Sequence, residues 1–398
     1  MTKVLRILNR FNLGGPTYNV AYLTKYMSPE FETLLIGGKN EKSEKNSEYI
    51  VENLDIHPTI IPEMQREISL INDYKAYLKI KKIIKEYKPD IVHTHASKAG
   101  MLGRYAAYRC KVPIIIHTFH GHVFYQYFNK YQTLFFKKTE RFLAKKTDAI
   151  IAISEIQKYE LTKIHKIAPE EKFRVIPLGF DLDRFQENYE EKRKNFRNLY
   201  NISNETIVIT TIGRLVPIKN HKLFIGAIAK IKQQTDKKII ALIVGDGELK
   251  ETLITFAKNQ NLNCQIQKEK IESPDIIFTS WIKEADIVLA ASDIAVLTSF
   301  NEGTPVSLIE AQAANTPVVS TNTGGIEDII LKNKTGLLSE NNNIENFSEK
   351  LLQLIENDEL RNTMSDFGWD FVKNKFHYTR LVNDMKNLYN DLLNEKNI

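Results

Sequence analysis

The chain has 398 residues, 42% hydrophobic and 26% charged, which suits a soluble globular protein with two separate cores. Its two cysteines, Cys110 and Cys264, exclude a disulfide framework and a cysteine metal site and fit a reducing cytoplasm. The net charge of +6 is uneven: residues 1–180 carry 29 Lys and Arg against 18 Asp and Glu, so an anionic partner is expected on that side only.

The first stretch, "MTKVLRILNRFNLGG", reads as a buried strand rather than a secretory signal. No run approaches the ~20 apolar residues of a membrane-spanning helix. Further strands are expected at "ETLLIGG", "DIVHTH", "PIIIHTF", "AIIAIS" and "FRVIPLG", then at "IVITTIG", "IIALIVG", "DIIFTSW", "IAVLTS" and "TPVVST". Amphipathic helical patterns separate most of them, so each half should be an α/β, doubly wound parallel sheet built from right-handed βαβ units. The charged segment 178–205 interrupts the pattern and sets the expected domains at 1–180 and 181–370. Helices are expected at 342–366 and 370–396, with residues 371–398 able to pack back on the first domain. Residues 37–48 are expected to be a mobile loop and 259–274 an irregular excursion.

Open α/β sheets bind ligands outside the carboxyl ends of their strands, so the expected site is a cleft between the two sheets. After the first strand, Gly14 and Gly15 in "FNLGGPTYNV" permit close backbone approach, but the spaced glycine fingerprint of dinucleotide enzymes is absent. In "TTIGRLVPIKNH", Arg214 and Lys219 follow a strand, where two cations suit a diphosphate. "FNEGTPVSLIE" also follows a strand, with Thr304 read as N-cap and Pro305 as the first helical residue. Backbone N–H groups from Gly303 to Val306 suit an anion or sugar hydroxyls. Glu310 lies six residues beyond Thr304, roughly 9 Å at 1.5 Å per residue, about the distance from a sugar diphosphate to the ribose of its nucleotide. Glu302 is then placed to meet the sugar.

Five histidines, 93, 95, 117, 120 and 122, cluster at strand ends without carboxylates or cysteines beside them, so a metal is not expected. Asp181 and Asp183 mimic a metal-binding D-x-D but fall at the domain crossing. "KYQTLFFKKTERFLAKKTDAI" sets Tyr131, Leu134, Phe135, Phe142 and Leu143 among Lys130, Lys137, Lys138, Arg141, Lys145 and Lys146. It reads either as a buried face with a solvated rim or as an interfacial helix on anionic lipid. No nucleic-acid motif accompanies the basic charge.

Taken in order, "GGPTYNV", "HTHASKAGMLGR", "HTFHGH", "DAIIAISE", "VIPLGFDLDRF", "GRLVPIKNH", "VGDGEL", "ADIVLAASD" and "GTPVSLIEAQAANTPVVSTNTGGIEDII" resemble the retaining glycosyltransferases of family 4, which have the GT-B architecture of two Rossmann-like domains facing a central cleft. The resemblance covers almost the whole chain. It implies a bacterial-type, metal-independent transferase with no cofactor, moving a sugar from a nucleotide diphosphate sugar (UDP-sugar first, GDP-mannose second) to a lipid-linked or cell-surface glycan. By the same resemblance, Arg214, Lys219 and Gly15 would hold the diphosphate, Glu302 with Gly303, Thr304, Pro305 and Val306 the sugar, and Glu310 the ribose. Gly245 and Asp246 in "VGDGEL", with Ser280 and Trp281 in "FTSW", would line the base. His120 would contact the transferring sugar, and Lys98 an acceptor phosphate. Ser280 stands where glycine is common, and Asn315 replaces a glycine after the glutamate helix. The implied location is the cytoplasm, peripheral on the inner membrane face through the first domain. Competing readings are a catalytically silent GT-B binding module and a UDP-sugar 2-epimerase of the same fold.

Overall fold

A computed structural model describes residues 1–11, 15–38, 48–65, 67–121, 130–267, 269 and 271–398. Gly14, His122 and most of the expected loop 37–48 lie outside the described residues. The chain forms two compact units, Met1–Phe180 with Phe376–Ile398, and Asp181–Lys375.

In unit 1, strands β1 (Thr2–Arg10), β2 (Phe31–Gly38), β3 (Thr59–Ile60), β4 (Ile91–His95), β5 (Ile114–Phe119), β6 (Ala149–Ala152) and β7 (Phe173–Val175) form a sheet in the order β3-β2-β1-β4-β5-β6-β7. Every pairing is parallel, with Val4 opposite Ile91 and His95 opposite Thr118. Val4, Leu5, Ile7 and Leu8 are all buried, the near-continuous apolar run that a strand covered on both faces requires. The helices are α1 (Gly15–Tyr26), α2 (Glu48–Glu52), α3 (Leu70–Tyr87), α4 (Ser97–Arg109), α5 (Lys130–Ala144) and α6 (Glu155–Tyr159), the last continuing as a π turn over Glu160–Ile164. One face of the sheet packs on α3 and α4 through Ile80, Ile84, Leu102 and Ala106.

Unit 2 contains β8 (Ile207–Ile212), β9 (Ile239–Val244), β10 (Cys264–Ile266), β11 (Ile276–Ser280), β12 (Ile294–Leu297), β13 (Val318–Thr321) and β14 (Gly336–Ser339), in the order β10-β11-β9-β8-β12-β13-β14 and again all parallel. Helices α7 (Tyr189–Leu199), α8 (His221–Ile231), α9 (Lys250–Asn259), α10 (Ala285–Ala290), α11 (Val306–Ala313) and α12 (Ile344–Glu356) connect and cover it; α13 (Asp358–Phe376) and α14 (Tyr378–Lys396) follow. Leu381, Val382, Met385 and Tyr389 of α14 pack with Val4, Ile91 and Ile114 on the second face of the unit 1 sheet.

The charged segment after residue 180 opens the second unit, as expected, and is itself structured: α7 buries Phe196, and Tyr200 just past it, against β8 and β9, while Arg193 and Arg197 grip Asp293 at 2.7 and 2.6 Å. Two expectations need correction. The helix expected at 342–366 breaks at Asn357, whose side chain accepts the Leu360 N–H at 2.9 Å and starts a new helix that runs to Phe376, past the expected boundary at 370. Strands β3, β10 and β14 were not expected; each has two to four residues, too few to show a periodicity, and β10 lies within the supposed excursion 259–274.

Candidate functional site

In unit 2 the strand order reverses between β8 and β12, so the loops leaving these adjacent strands flank a crevice at the carboxyl edge of the sheet. The β8 loop carries Arg214 and Lys219, and the β12 loop carries Glu302. Lys219 Nζ lies 2.5 Å from Glu302 Oε1, which also accepts the Ser299 hydroxyl at 2.5 Å. The loops are stitched together by backbone: Phe300 N–H donates to Ile218 O at 2.9 Å, and the Thr298 hydroxyl to Lys219 O at 3.0 Å. Arg214 is exposed beside them.

Beneath Glu302 runs a second turn, which the sequence reading did not assign. Gly325 N–H donates to Glu302 O at 3.0 Å, and a Cβ on Gly324, whose φ is +56°, would lie 1.9 Å from that same oxygen. Gly303 is different. A Cβ there would meet nothing within 4 Å, and its φ is not in the left-handed region, so the fold itself does not require glycine. Among the described residues no protein acceptor faces the backbone N–H of Gly303, Thr304 or Val306. The helix start shifts by one residue from the expected one. Pro305 is the N-cap, at φ −71° and ψ 106°, Val306 is the first helical residue, and Thr304 makes no capping bond. Proline's φ fits a helix, so it is the extended ψ of Pro305 that delays the start.

Glu310, in α11, is 18% exposed and lies 3.3 Å from Arg184 in the 3₁₀ turn Asp183–Phe185. Burial raises its carboxyl pKa to about 7; Arg184 opposes the rise and Asp286 adds to it. Arg184 directly follows the Asp181 and Asp183 pair and was missed because its partner is 126 positions away. Among the described residues no group of three or more His, Cys, Asp or Glu could hold a metal ion.

The remaining unit 2 positions surround the β9 and β11 ends. Leu215 N–H donates to Asp246 O at 2.9 Å, and Gly245 N–H to Ser280 O at 3.0 Å. A Cβ on Gly245 would lie 1.8 Å from Gly213 O, so the loop needs glycine. Ser280 itself has φ +63°, the left-handed conformation glycine tolerates best, and its hydroxyl accepts Lys250 Nζ at 2.6 Å. Asn315, with φ +55°, follows α11 in the same conformation, which asparagine tolerates in place of glycine. Trp281 and Asp246 are exposed.

In unit 1, Gly15 starts α1, and a Cβ there would press on Leu178 at 2.9 Å. Of the clustered histidines, His93 and His95 lie in β4, His117 in β5 and His120 one residue past it. Arg6 Nη1 at 3.2 Å and the Tyr389 hydroxyl at 2.7 Å both face His93 Nδ1, which makes it the acceptor and puts the ring proton on Nε2, donated to Thr118 at 2.8 Å. His95 Nδ1 and His120 Nε2 share one proton across 3.0 Å, leaving His95 Nε2 and His120 Nδ1 without a protein partner among the described residues. Burial holds His93, His95 and His117 well below the ordinary histidine pKa and brings His120 to about 3. Lys98 is already engaged: it pairs with Asp73 at 2.5 Å and donates to the carbonyls of Gln65 and Glu67. On α5 several apolar residues point outward, with Tyr131 84%, Phe135 64% and Phe142 48% exposed, while Leu143 and Ala144 are buried and Phe136 packs against the core.

Such a pair of doubly wound sheets, with charged loops at the switch point of the second, defines a nucleotide-binding class of two-domain enzyme, and comparison with known proteins narrows it. Residues 192–369 match the Glycosyl transferases group 1 family and residues 13–184 match Glycosyltransferase Family 4. The chain is 32% identical over 356 residues to the Escherichia coli UDP-Gal:alpha-D-GlcNAc-diphosphoundecaprenol alpha-1,3-galactosyltransferase, covering 88% of this chain and 89% of that protein. It is 28% identical to the capsular polysaccharide biosynthesis glycosyltransferase CapM of Staphylococcus aureus, over 84% of this chain and 85% of that one. Among solved structures it is similar in fold to a Rickettsia africae glycosyltransferase (TM-score 0.80, 22% identity, 98% of each chain covered). Anabaena Alr3699/HepE in complex with UDP is also similar in fold (TM-score 0.78, 17% identity, 98% of this chain and 100% of that one covered). The chain is a glycosyltransferase and belongs to family 4, with the GT-B fold.

Proposed function

We propose that this enzyme transfers a sugar from a UDP-sugar to a lipid-diphosphate-linked glycan in bacterial cell-surface polysaccharide synthesis, with retention of anomeric configuration and without a divalent ion. The observation that carries the donor assignment is the Lys219–Glu302 pair at the unit 2 switch point, beside three backbone N–H groups that no acceptor among the described residues claims. On donor binding Lys219 and Arg214 turn to the diphosphate, supplying the positive charge a metal would otherwise bring to the leaving group. Glu302, released from Lys219, accepts hydroxyls of the transferring sugar, and Gly303 leaves it room. Glu310, beside Arg184, accepts the ribose hydroxyls through its carboxyl oxygens, while Gly245, Asp246, Ser280 and Trp281 line the base. In unit 1, Gly15 is assigned to the diphosphate and His120, through its open Nδ1, to the transferring sugar.

In the transfer itself the bond from the anomeric carbon to the diphosphate oxygen breaks, and its electrons leave with the diphosphate. The acceptor hydroxyl attacks the same face, and its proton passes to a diphosphate oxygen. No protein nucleophile is assigned. The relative named for UDP-Gal and a diphosphoundecaprenol acceptor, and the UDP complex of a structural neighbour, favour UDP over GDP-mannose. No helix of the described residues is long and apolar enough to cross a membrane, and the outward aromatic face of α5 with its lysines favours peripheral attachment to anionic lipid. Lys98 reaches an acceptor phosphate only by giving up Asp73. A thermal-shift screen with UDP, GDP, ADP and their sugars tests the donor; stabilisation by none of them, or only by GDP-mannose, removes the UDP assignment.

A further inference from the structure

A cavity of about 650 Å³ opens between the C-terminal end of α5 and the segment that follows the π turn Glu160–Ile164. Its walls precede β6 and β7, so it lies at the amino edge of the unit 1 sheet, opposite the edge that bears the histidines. Arg141, Lys145, Lys166 and Lys172 line it, and among the described residues no carboxylate does.

The two inner cations are held by neutral acceptors. Arg141 donates through Nε to Lys166 O at 2.9 Å and through Nη2 to His165 O at 2.8 Å. Lys172 donates to Ala144 O at 3.0 Å and Thr147 O at 2.9 Å. Carbonyls fix the position of a cation without cancelling its charge, so both charges stay available to an incoming anion. Glu170, the closest acid in sequence to the wall residue Pro169, is drawn off by Lys158 at 3.2 Å and Lys163 at 2.8 Å. Lys145 and Lys166 stand exposed at the rim, and Lys166 is kept at φ +50° with its carbonyl turned to Arg141.

We propose that this recess binds a phosphate ester, at a site separate from the donor crevice. Two positioned cations within and two exposed ones at the mouth suit a group carrying several acceptor oxygens, and the volume leaves room for the alcohol it esterifies. At 100° per residue, Tyr131, Phe135 and Phe142 form one stripe along α5, with Arg141 and Lys145 flanking it. A phospholipid headgroup could therefore enter while the stripe rests on the bilayer, and a soluble sugar or glycerol phosphate has the same chemistry.

The test is titration of the full chain with glycerol phosphate, comparing wild type with K145Q/K166Q. The double variant should bind about tenfold more weakly or worse, with its unfolding midpoint unchanged. K219A should bind glycerol phosphate as wild type does, which separates this site from the donor reading. K137Q/K138Q, with the same charge loss on α5 but off the recess, should also keep its affinity. Co-sedimentation with phosphatidylglycerol vesicles, competed by glycerol phosphate, would assign the ligand to a lipid headgroup; binding in solution without vesicle binding would assign it to a soluble ester. Absence of any phosphate binding by wild type, or equal loss in both lysine pairs, overturns the proposal.

Discussion

Lys219 and Glu302, 83 residues apart, meet at 2.5 Å because β8 and β12 are neighbours at the point where the unit 2 strand order reverses. Each is assigned to a different part of the donor, so without donor each serves as the other's counter-ion. Lys219→Ala should therefore weaken UDP binding by about 1.5–3 kcal/mol, the range for hydrogen bonds to a charged group. Glu302→Gln, which frees the ammonium, should leave UDP binding equal or tighter while abolishing the preference for UDP-sugar over UDP. Isothermal titration decides it, and unchanged UDP affinity in the lysine variant would remove Lys219 from the diphosphate.

The two glycines of this region should behave in opposite ways. Gly303→Ala meets open space and should leave stability unchanged or raise it by about 0.4–1 kcal/mol, yet lower transfer activity sharply. Gly324→Ala must shift the Glu302 carbonyl and distort a positive φ, so it should lower the unfolding midpoint as well. Urea denaturation beside a donor-turnover assay separates them. Full activity in Gly303→Ala would mean that nothing passes close to that backbone.

Ser280 occupies a left-handed conformation and also holds Lys250. Ser280→Ala and Ser280→Gly lose the same hydroxyl, but only glycine relieves the backbone, so the glycine variant should be more stable by about 1 kcal/mol. Equal denaturation midpoints would show that the conformation carries no strain.

The two units should respond to pH in opposite directions. His93, His95, His117 and His120 have folded pKa values below the unfolded 6.5, so the unfolded chain binds the extra protons in acid. Their contribution is intact above pH 6.5 and is lost as pH falls toward the folded values, by up to about 1.4 kcal/mol per pH unit for each ring. Glu310, raised from 4.5 to about 7, does the reverse: its contribution is complete below 4.5 and is lost as pH rises through 7. Calorimetry at several pH values should show acid weakening that His95→Gln reduces, and Glu310→Gln should remove a loss of stability between pH 4.5 and 7. A flat profile across pH 5–7 in the wild type would contradict the buried neutral histidines.

What could be read before any coordinates followed from local rules. Buried parallel strands need unbroken runs such as "VLRIL" and "IIALIVG", so the alternation of such runs with helical patterns determined two doubly wound sheets. Glycines and charged residues directly after strand ends, Gly15, Arg214, Lys219 and Glu302, marked the site because open sheets present ligands there. Contacts between distant segments were invisible: that Lys219 is neutralised by Glu302, that Arg184 pairs with Glu310, that Gly324 and Gly325 support the glutamate turn, and that Lys98 is held by Asp73. The direction in which α5 turns its aromatics was equally closed to periodicity, since a stripe at helical spacing looks the same facing a core or facing solvent. Chain pattern specifies which face of an element is apolar; only packing specifies what that face, or a charge at a loop tip, will meet.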